Sequence, residues 1–331
     1  MTNQPDQHGT DSDCVVEVRD LVMRYGDKTV VDHIDMDLYR GEILAFLGPN
    51  GAGKTTTVEI LEGYRSRTSG TVSVLGVDPG NAPRDWREQV GVVLQESEPY
   101  PELTVAETIE MHGRYYRNAR PCGEVVEMVG LTDAANQRCR RLSGGQRRRL
   151  DLGLALVGDP EVVFLDEPTT GFDPNARREA WEMIRSLREY GKTALLTTHY
   201  MEEAEQLADR ILVISQGHIV AQGTTEELAS LVHIEPVISW EIVGDTPTVP
   251  DKFSQNQAGQ QFTMETKDVT SDLHALTGWA LEQQVELVDL NVKHPSLEDV
   301  YLALVGTQPT ATEEPSQEST RRRSRASRRA K

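Results

Sequence analysis

Eight residues constrain this chain more than any other stretch: Gly48, Pro49, Asn50, Gly51, Ala52, Gly53, Lys54 and Thr55. They follow an apolar run, EILAFLG (42–48), and precede a predicted helix. The pattern is G-x-x-x-x-G-K-[ST] between a strand and a helix, the context in which it carries meaning. Gly48, Gly51 and Gly53 let the backbone turn so that successive N–H groups converge on phosphate oxygens. Lys54 brings a point charge to the β- and γ-phosphates, and the Thr55 hydroxyl suits Mg²⁺. The competing reading, a chance glycine-rich turn, is opposed by the strand–loop–helix order. Such a loop predicts an α/β domain that binds its ligand at the carboxyl ends of parallel strands.

The rest of residues 15–227 fits that expectation, since short apolar runs alternate with amphipathic stretches. EVVFLDEP (161–168) reads as a buried strand with Asp166 at its carboxyl end, placed to hold Mg²⁺ through water. Glu167 follows and can polarise an attacking water. Two adjacent carboxylates can also be a merely solvated strand end. TALLTTH (193–199) is a further strand that delivers His199 to the same edge, to contact a γ-phosphate or orient water. A lone histidine is more often structural. Gln95, after VGVVL, can reach the metal or the water. Tyr25 in LVMRYGDK can stack on a base, or simply pack in a turn. Asp173-Pro174 supplies an N-cap and N1 proline. Ala180, Trp181, Ile184 and Leu187 then form one apolar helix face.

A second anion-binding turn is harder to place. Leu142-Ser143-Gly144-Gly145-Gln146 aims N–H groups, a hydroxyl and a helix N-terminus outward. Leu150, Leu154 and Val157 anchor the helix it opens, and Arg147–Arg149 read as a solvated face. The chain thus carries two phosphate-binding turns but parts for one complete nucleotide site.

Beyond residue 228 the character changes to a small α+β pattern. ISWEIVG alternates, VTSDLHALTGWALEQQ has helical spacing, and Val288, Leu290 and Val292 alternate in a further strand. Ser296 and Asp299 have capping-box spacing. The domains read as 1–14, a disordered N-terminus; 15–227, the nucleotide-binding domain, with a helical subdomain at about 96–150; 228–306, the small C-terminal domain; and 307–331, a disordered tail. No apolar run approaches the ~20 residues of a membrane span, and the polar start is no secretory signal. Cys14, Cys122 and Cys139 have neither disulfide-framework nor metal-site spacing and read as reduced thiols. The net charge of −19 argues against wrapping nucleic acid. Seven basic residues fall in the last eleven, leaving −26 on residues 1–320. That basic run suits anionic lipid, with a merely solvated tail and nonspecific nucleic-acid contact as the competing readings.

As an ordered set these residues resemble the ATP-binding subunit of ABC transporters. The members are Tyr25, GPNGAGKT, Gln95, LSGGQ, VVFLDEP, TTGFDP with Asp173, and His199, over about 15–227. Phe172 departs from the leucine usual in the loop before Asp173, which leaves that loop's packing open. HPSLEDVYLALVG (294–306) is similar to the end of drug- and antibiotic-export ATPases of the daunorubicin-resistance type. The resemblance implies ATP and Mg²⁺ as ligands, with catalysis by Glu167 and His199. Metal ligation falls to Thr55, Gln95 and Asp166. Nucleotide contacts fall to Tyr25, residues 48–56, Gln95, Ser143, Gly144, Gly145, Gln146 and Asp173. It also implies a homodimer packed head to tail, so that each LSGGQ closes the other chain's site. A separate permease would hold the subunit at the cytoplasmic face of the membrane. Rival readings are an import ATPase and an ABC-type ATPase without a membrane partner. Lys54 and Leu142 are 88 positions apart, too few for the coiled-coil insertions of DNA-repair relatives.

Overall fold

The computed structural model describes residues 13–93, 100–232, 234–242, 249–253, 256–258 and 261–306. Gln95, residues 1–12 of the expected disordered N-terminus and the tail from 307 with its basic run lie outside the described residues. Cys14, expected in the disordered segment, instead opens the first strand, where it pairs with Tyr39.

Strands β1 (Cys14–Tyr25) and β2 (Lys28–Tyr39) form an antiparallel hairpin. β3 (Ile43–Leu47) feeds α1 (Lys54–Leu61) through the glycine loop. β4 (Ser69–Val74), α2 (Arg84–Arg87) and β5 (Val90–Val93) follow. Three helices come next: α3 (Val105–Gly113), α4 (Cys122–Met128) and α5 (Gly144–Leu156). β6 (Val162–Asp166), α6 (Pro174–Glu189), β7 (Thr193–Thr198), α7 (Met201–Leu207), β8 (Arg210–Ser215), β9 (His218–Gly223) and α8 (Thr225–Leu231) complete the larger unit.

Six strands form its main sheet in the order β5-β6-β7-β3-β8-β9, parallel except for the β8–β9 pair. All five β3 residues are buried, as a central parallel strand requires. The carboxyl ends of β6, β7 and β3 are neighbours, so Asp166, His199 and the glycine loop meet at one edge. A second sheet, β2-β1-β4, packs its apolar face on the same core.

The α5 helix is buried on two sides rather than one. Leu150 and Val157 join α3 and α4 in one cluster, while Leu152, Ala155 and Leu156 join the main-sheet core. α6 follows the sequence pattern: Asp173 accepts N–H bonds from Asn175 and Ala176, and Ala180, Trp181, Ile184 and Leu187 are buried.

The C-terminal segment contributes β10 (Val237–Ile242), β11 (Asn256–Ala258), β12 (Gln261–Glu265) and β13 (Leu287–Lys293), with α9 (Val269–Glu282) burying Leu276 and Ala280. The four strands form one sheet in the order β11-β12-β10-β13. The alternation read in β13 is broken: Asp289 has a left-handed φ of 51° and Leu290 is exposed. The last helix among the described residues, α10 (Leu297–Gly306), leaves this sheet and returns to the larger unit. Leu297 and Val300 share a buried cluster with Ala204, Leu207 and Leu228. The capping box at its start forms: Ser296 N donates to Asp299 Oδ2 at 3.0 Å and Asp299 N to Ser296 Oγ at 3.2 Å. Leu297 N also donates to Glu205 Oε1 at 2.6 Å.

Candidate nucleotide site

The loop between β3 and α1 cannot tolerate side chains at its tightest points. A Cβ on Gly48 would lie 2.4 Å from the Ile214 carbonyl oxygen. Gly53 has φ 106°, and a Cβ there would lie 2.7 Å from the Val30 oxygen. The β1–β2 hairpin therefore presses against the loop and fixes its curvature. Gly48 N donates to the Thr198 oxygen at 3.2 Å, which ties the start of the loop to β7. Ala52 is buried in the core, whereas Asn50, Gly51, Thr55 and Thr56 line a concavity over the loop. Val30, Gly53, Lys54 and Glu167 complete its lining.

Lys54 is the buried cation of this concavity, at 4% exposure. Its Nζ donates to the oxygens of Gly48 at 2.8 Å and Pro49 at 3.2 Å, and lies 3.7 Å from Glu167 Oε1. Burial holds the ammonium below the ordinary lysine range, while Glu167 and Asp166 oppose that shift. The lysine is thus fixed beside the cradle by the loop's own carbonyls.

Both carboxylates at the end of β6 are placed by β7. Thr197 Oγ1 donates to Asp166 Oδ1 at 2.5 Å and accepts the Glu167 N–H at 3.0 Å. Thr55 Oγ1 lies 3.5 Å from the same Asp166 oxygen. Glu167 has φ 45°, a left-handed conformation that costs about 1–3 kcal/mol outside glycine. The turn is held by its bonds: Thr170 Oγ1 donates to Glu167 Oε2 at 3.0 Å, and His199 Nδ1 lies 3.2 Å from Oε1. His199 also packs on Tyr200, with ring centroids 4.0 Å apart. Lys54, Thr55, Asp166, Glu167 and His199 therefore converge as the sequence indicates.

Three contributors escape a reading of the sequence. Thr197 and Thr170 are generic residue types whose role emerges only across strands. Arg148 corrects the solvated-face reading of 147–149: it is 9% exposed, and its Nε donates to the Pro168 oxygen at 3.0 Å.

The other expected contacts lie apart. Tyr25 is exposed at the hairpin end, with the Arg65 guanidinium 5.4 Å from its ring centroid, and is not among the residues lining the concavity. Asp173 caps α6. Ser143 Oγ accepts the Gln146 N–H at 3.2 Å, and Gln146 Oε1 accepts the Ser143 N–H at 3.1 Å. This capping box leaves the Ser143 O–H free to donate elsewhere. A Cβ on Gly144 would meet nothing within 4 Å, so the turn is open. No residue of 142–146 lines the concavity of the same chain.

Comparison with known proteins places this arrangement. The ABC transporter family model matches residues 31–170, and an "ABC transporter domain-containing protein-like, C-terminal domain" model matches 242–296. The daunorubicin resistance ATP-binding protein of Streptomyces coeruleorubidus is 39% identical over 314 residues, covering 90% of this chain and 97% of that protein. The chain belongs to the ABC transporter ATP-binding family. The linearmycin resistance ATP-binding protein of Bacillus subtilis is 33% identical over 88% of this chain and 98% of its own length. The Nod factor export ATP-binding protein I of Burkholderia lata is 38% identical over 88% and 97%. Among solved structures, an ATP-binding subunit of an ABC transporter superposes with TM-score 0.58 and 25% identity, covering 66% of this chain and 92% of that one. A dimeric bacterial ABC cassette shares the fold at TM-score 0.56 and 23% identity, over 63% and 98%. The chain is thus an ABC ATP-binding subunit and an ATPase. Among the described residues, no helix of this subunit is long and apolar enough to cross a membrane.

Proposed function

We propose that this ABC subunit powers an exporter, working as a head-to-tail homodimer beneath a separate membrane permease at the cytoplasmic face. One observation carries the dimer. The concavity of one chain holds the cradle, Lys54 and Glu167, with Asp166 beside Thr55 and His199 beside Glu167, while no residue of the signature turn at 143–146 lines it. Two chains related by a two-fold axis supply each site with what it lacks. Export is favoured by the names of the relatives, which include two resistance proteins and an export protein matched along nearly their whole length. The basic run at 321–331 is assigned to the anionic membrane surface beside the permease.

The donor set fits Mg²⁺, a hard cation that takes oxygen ligands: the Thr55 hydroxyl and Asp166 carboxylate lie 3.5 Å apart, and the sequence offers the Gln95 side chain as a further ligand. When bound, Mg²⁺ neutralises charge on the β- and γ-phosphate oxygens. The backbone N–H groups of the glycine loop and Lys54 hold the phosphates in line. Glu167 accepts the proton of the attacking water as its oxygen adds to the γ-phosphorus and the bond to the β-phosphate oxygen breaks. His199 steadies Glu167 by donating from Nδ1; Nε2 then accepts from the water as the neutral ring, or donates to a phosphate oxygen as the imidazolium. Signature donors from the second chain stabilise the charge that develops.

Mixing two inactive variants tests the cross-chain assignment. Lys54→Ala and Ser143→Arg each damage both sites of a homodimer. A random mixture places both lesions in one site of the mixed dimer and none in the other. About a quarter of wild-type turnover should return. No return, with chain exchange demonstrated and no ATP-dependent crosslink from Ser143→Cys to the second chain, would overturn the assignment.

A further inference from the structure

Arg148 lies on α5, two residues beyond the Gln146 that closes the signature capping box. Its guanidinium reaches across to the catalytic turn. Nε donates to the Pro168 oxygen at 3.0 Å, and Nη2 to the oxygens of Asp166 at 3.3 Å and Glu167 at 3.5 Å. Three consecutive carbonyls thus converge on one buried cation, with Asp151 at 4.0 Å as a countercharge. A planar fork suits carbonyls that fan around it; a compact ammonium does not. The residue they flank is the left-handed Glu167, whose conformation depends on what holds its neighbours. α5 is itself wedged between two apolar clusters, so its start and Arg148 move as one body.

We propose that Arg148 is a positioning residue that sets the Glu167 carboxylate from beneath and ties it to the signature turn on the same helix. Resting on the cross-chain reading of that turn, the contact makes α5 a rigid link between the two sites of the dimer. The nucleotide that Ser143 grips belongs to the second chain. The water that Glu167 activates lies in the first. Closing one site therefore seats the base of the other.

The test uses the full-length chain with Arg148→Met, Arg148→Lys and, as control, Arg149→Met. The Arg149 guanidinium goes instead to the Gly130 oxygen and Glu179, away from the turn. Arg148→Met should lower kcat on the order of 10–100-fold, as misplacement of a catalytic group does, while labelled-ATP affinity stays within about threefold. Arg148→Lys should recover part of the loss, and Arg149→Met should stay within about twofold of wild type. Unchanged kcat in Arg148→Met would overturn the proposal and leave the dimer reading standing. So would losses of kcat and affinity in equal measure. If Arg148→Met does not fold, Arg148→Lys decides: it must lower kcat with affinity kept, and wild-type kcat there refutes the proposal. A kcat loss in Arg148→Met together with failed complementation in the Lys54→Ala and Ser143→Arg mixture would refute the link between sites.

Discussion

Replacing Glu167 by Gln tests the chemistry at its centre. The side chain keeps its shape: an amide oxygen can still accept from His199 Nδ1, which lies 3.2 Å from Oε1, and the amide NH₂ can donate to the Thr170 hydroxyl once that hydroxyl turns from donor to acceptor. Lys54 loses an anionic neighbour at 3.7 Å but keeps its bonds to the Gly48 and Pro49 oxygens, so the cradle survives. Thr197 still holds Asp166, which preserves the metal side of the site. The variant therefore lacks one thing, a carboxylate to take the water's proton. General-base catalysis contributes ~10²–10⁴-fold, equivalent to about 2.7–5.4 kcal/mol of barrier. Single-turnover hydrolysis should slow by that factor. ATP affinity should be equal or higher, because a negative charge beside the γ-phosphate has gone. The chain should then elute as an ATP-bound dimer in size-exclusion chromatography. His199 acts partly through Glu167, so His199→Ala in the Glu167→Gln background should cost less than in wild type. Wild-type hydrolysis by purified Glu167→Gln would refute the assignment of the base, and full additivity of the two lesions would refute the Glu167–His199 unit.

Two further outcomes follow from packing and burial. Gly53→Ala forces a Cβ towards the Val30 oxygen at φ 106°, so its urea midpoint should fall by an amount equivalent to about 1–3 kcal/mol; Gly51→Ala, in open space, should lose less, and equal midpoints would contradict the close-approach account. Burial first, then Asp166 and Glu59, push the Glu62 carboxyl up to about 8. A raised folded-state pKa gives stability that is intact below the unfolded value near 4.5 and is lost as pH rises to about 8. Glu62→Gln should flatten the decline in denaturation midpoint between those limits, and a decline of unchanged slope would exclude Glu62 as its source.

The site was legible in the sequence where chemistry is written into short contiguous runs. The glycine loop, the Asp166-Glu167 pair at the end of an apolar strand and His199 at the end of another need only strand order to meet, and parallel topology supplies it. Thr197 was hidden because it works across the gap between β6 and β7 through a common residue type. Arg148 was hidden by its neighbours, since three consecutive arginines look like a solvated face. On a helix they point about 100° apart. Arg148 falls on the stripe with Asp151, Leu152 and Ala155, opposite the stripe of Leu150 and Val157, and a single-face reading of α5 cannot separate the two. In β13, alternation alone could not reveal the left-handed Asp289 that turns Leu290 outward.

The return of α10 to the larger unit bears on how the polypeptide is made. Leu297 and Val300 pack with Ala204 and Leu207 of α7 and Leu228 of α8, and the Glu205 carboxylate accepts the Leu297 N–H. A nascent chain that has emerged only to α8 has every motif of the ATPase but an open apolar seam. Roughly seventy more residues must leave the ribosome before the seam closes, several seconds at about 5–20 residues per second. In that interval the smaller sheet can form on its own contacts, since Trp240, Phe262 and Leu276 pack among themselves. Synthesis therefore proceeds with the catalytic body unsealed until α10 emerges, and that helix acts as the stitch that closes it.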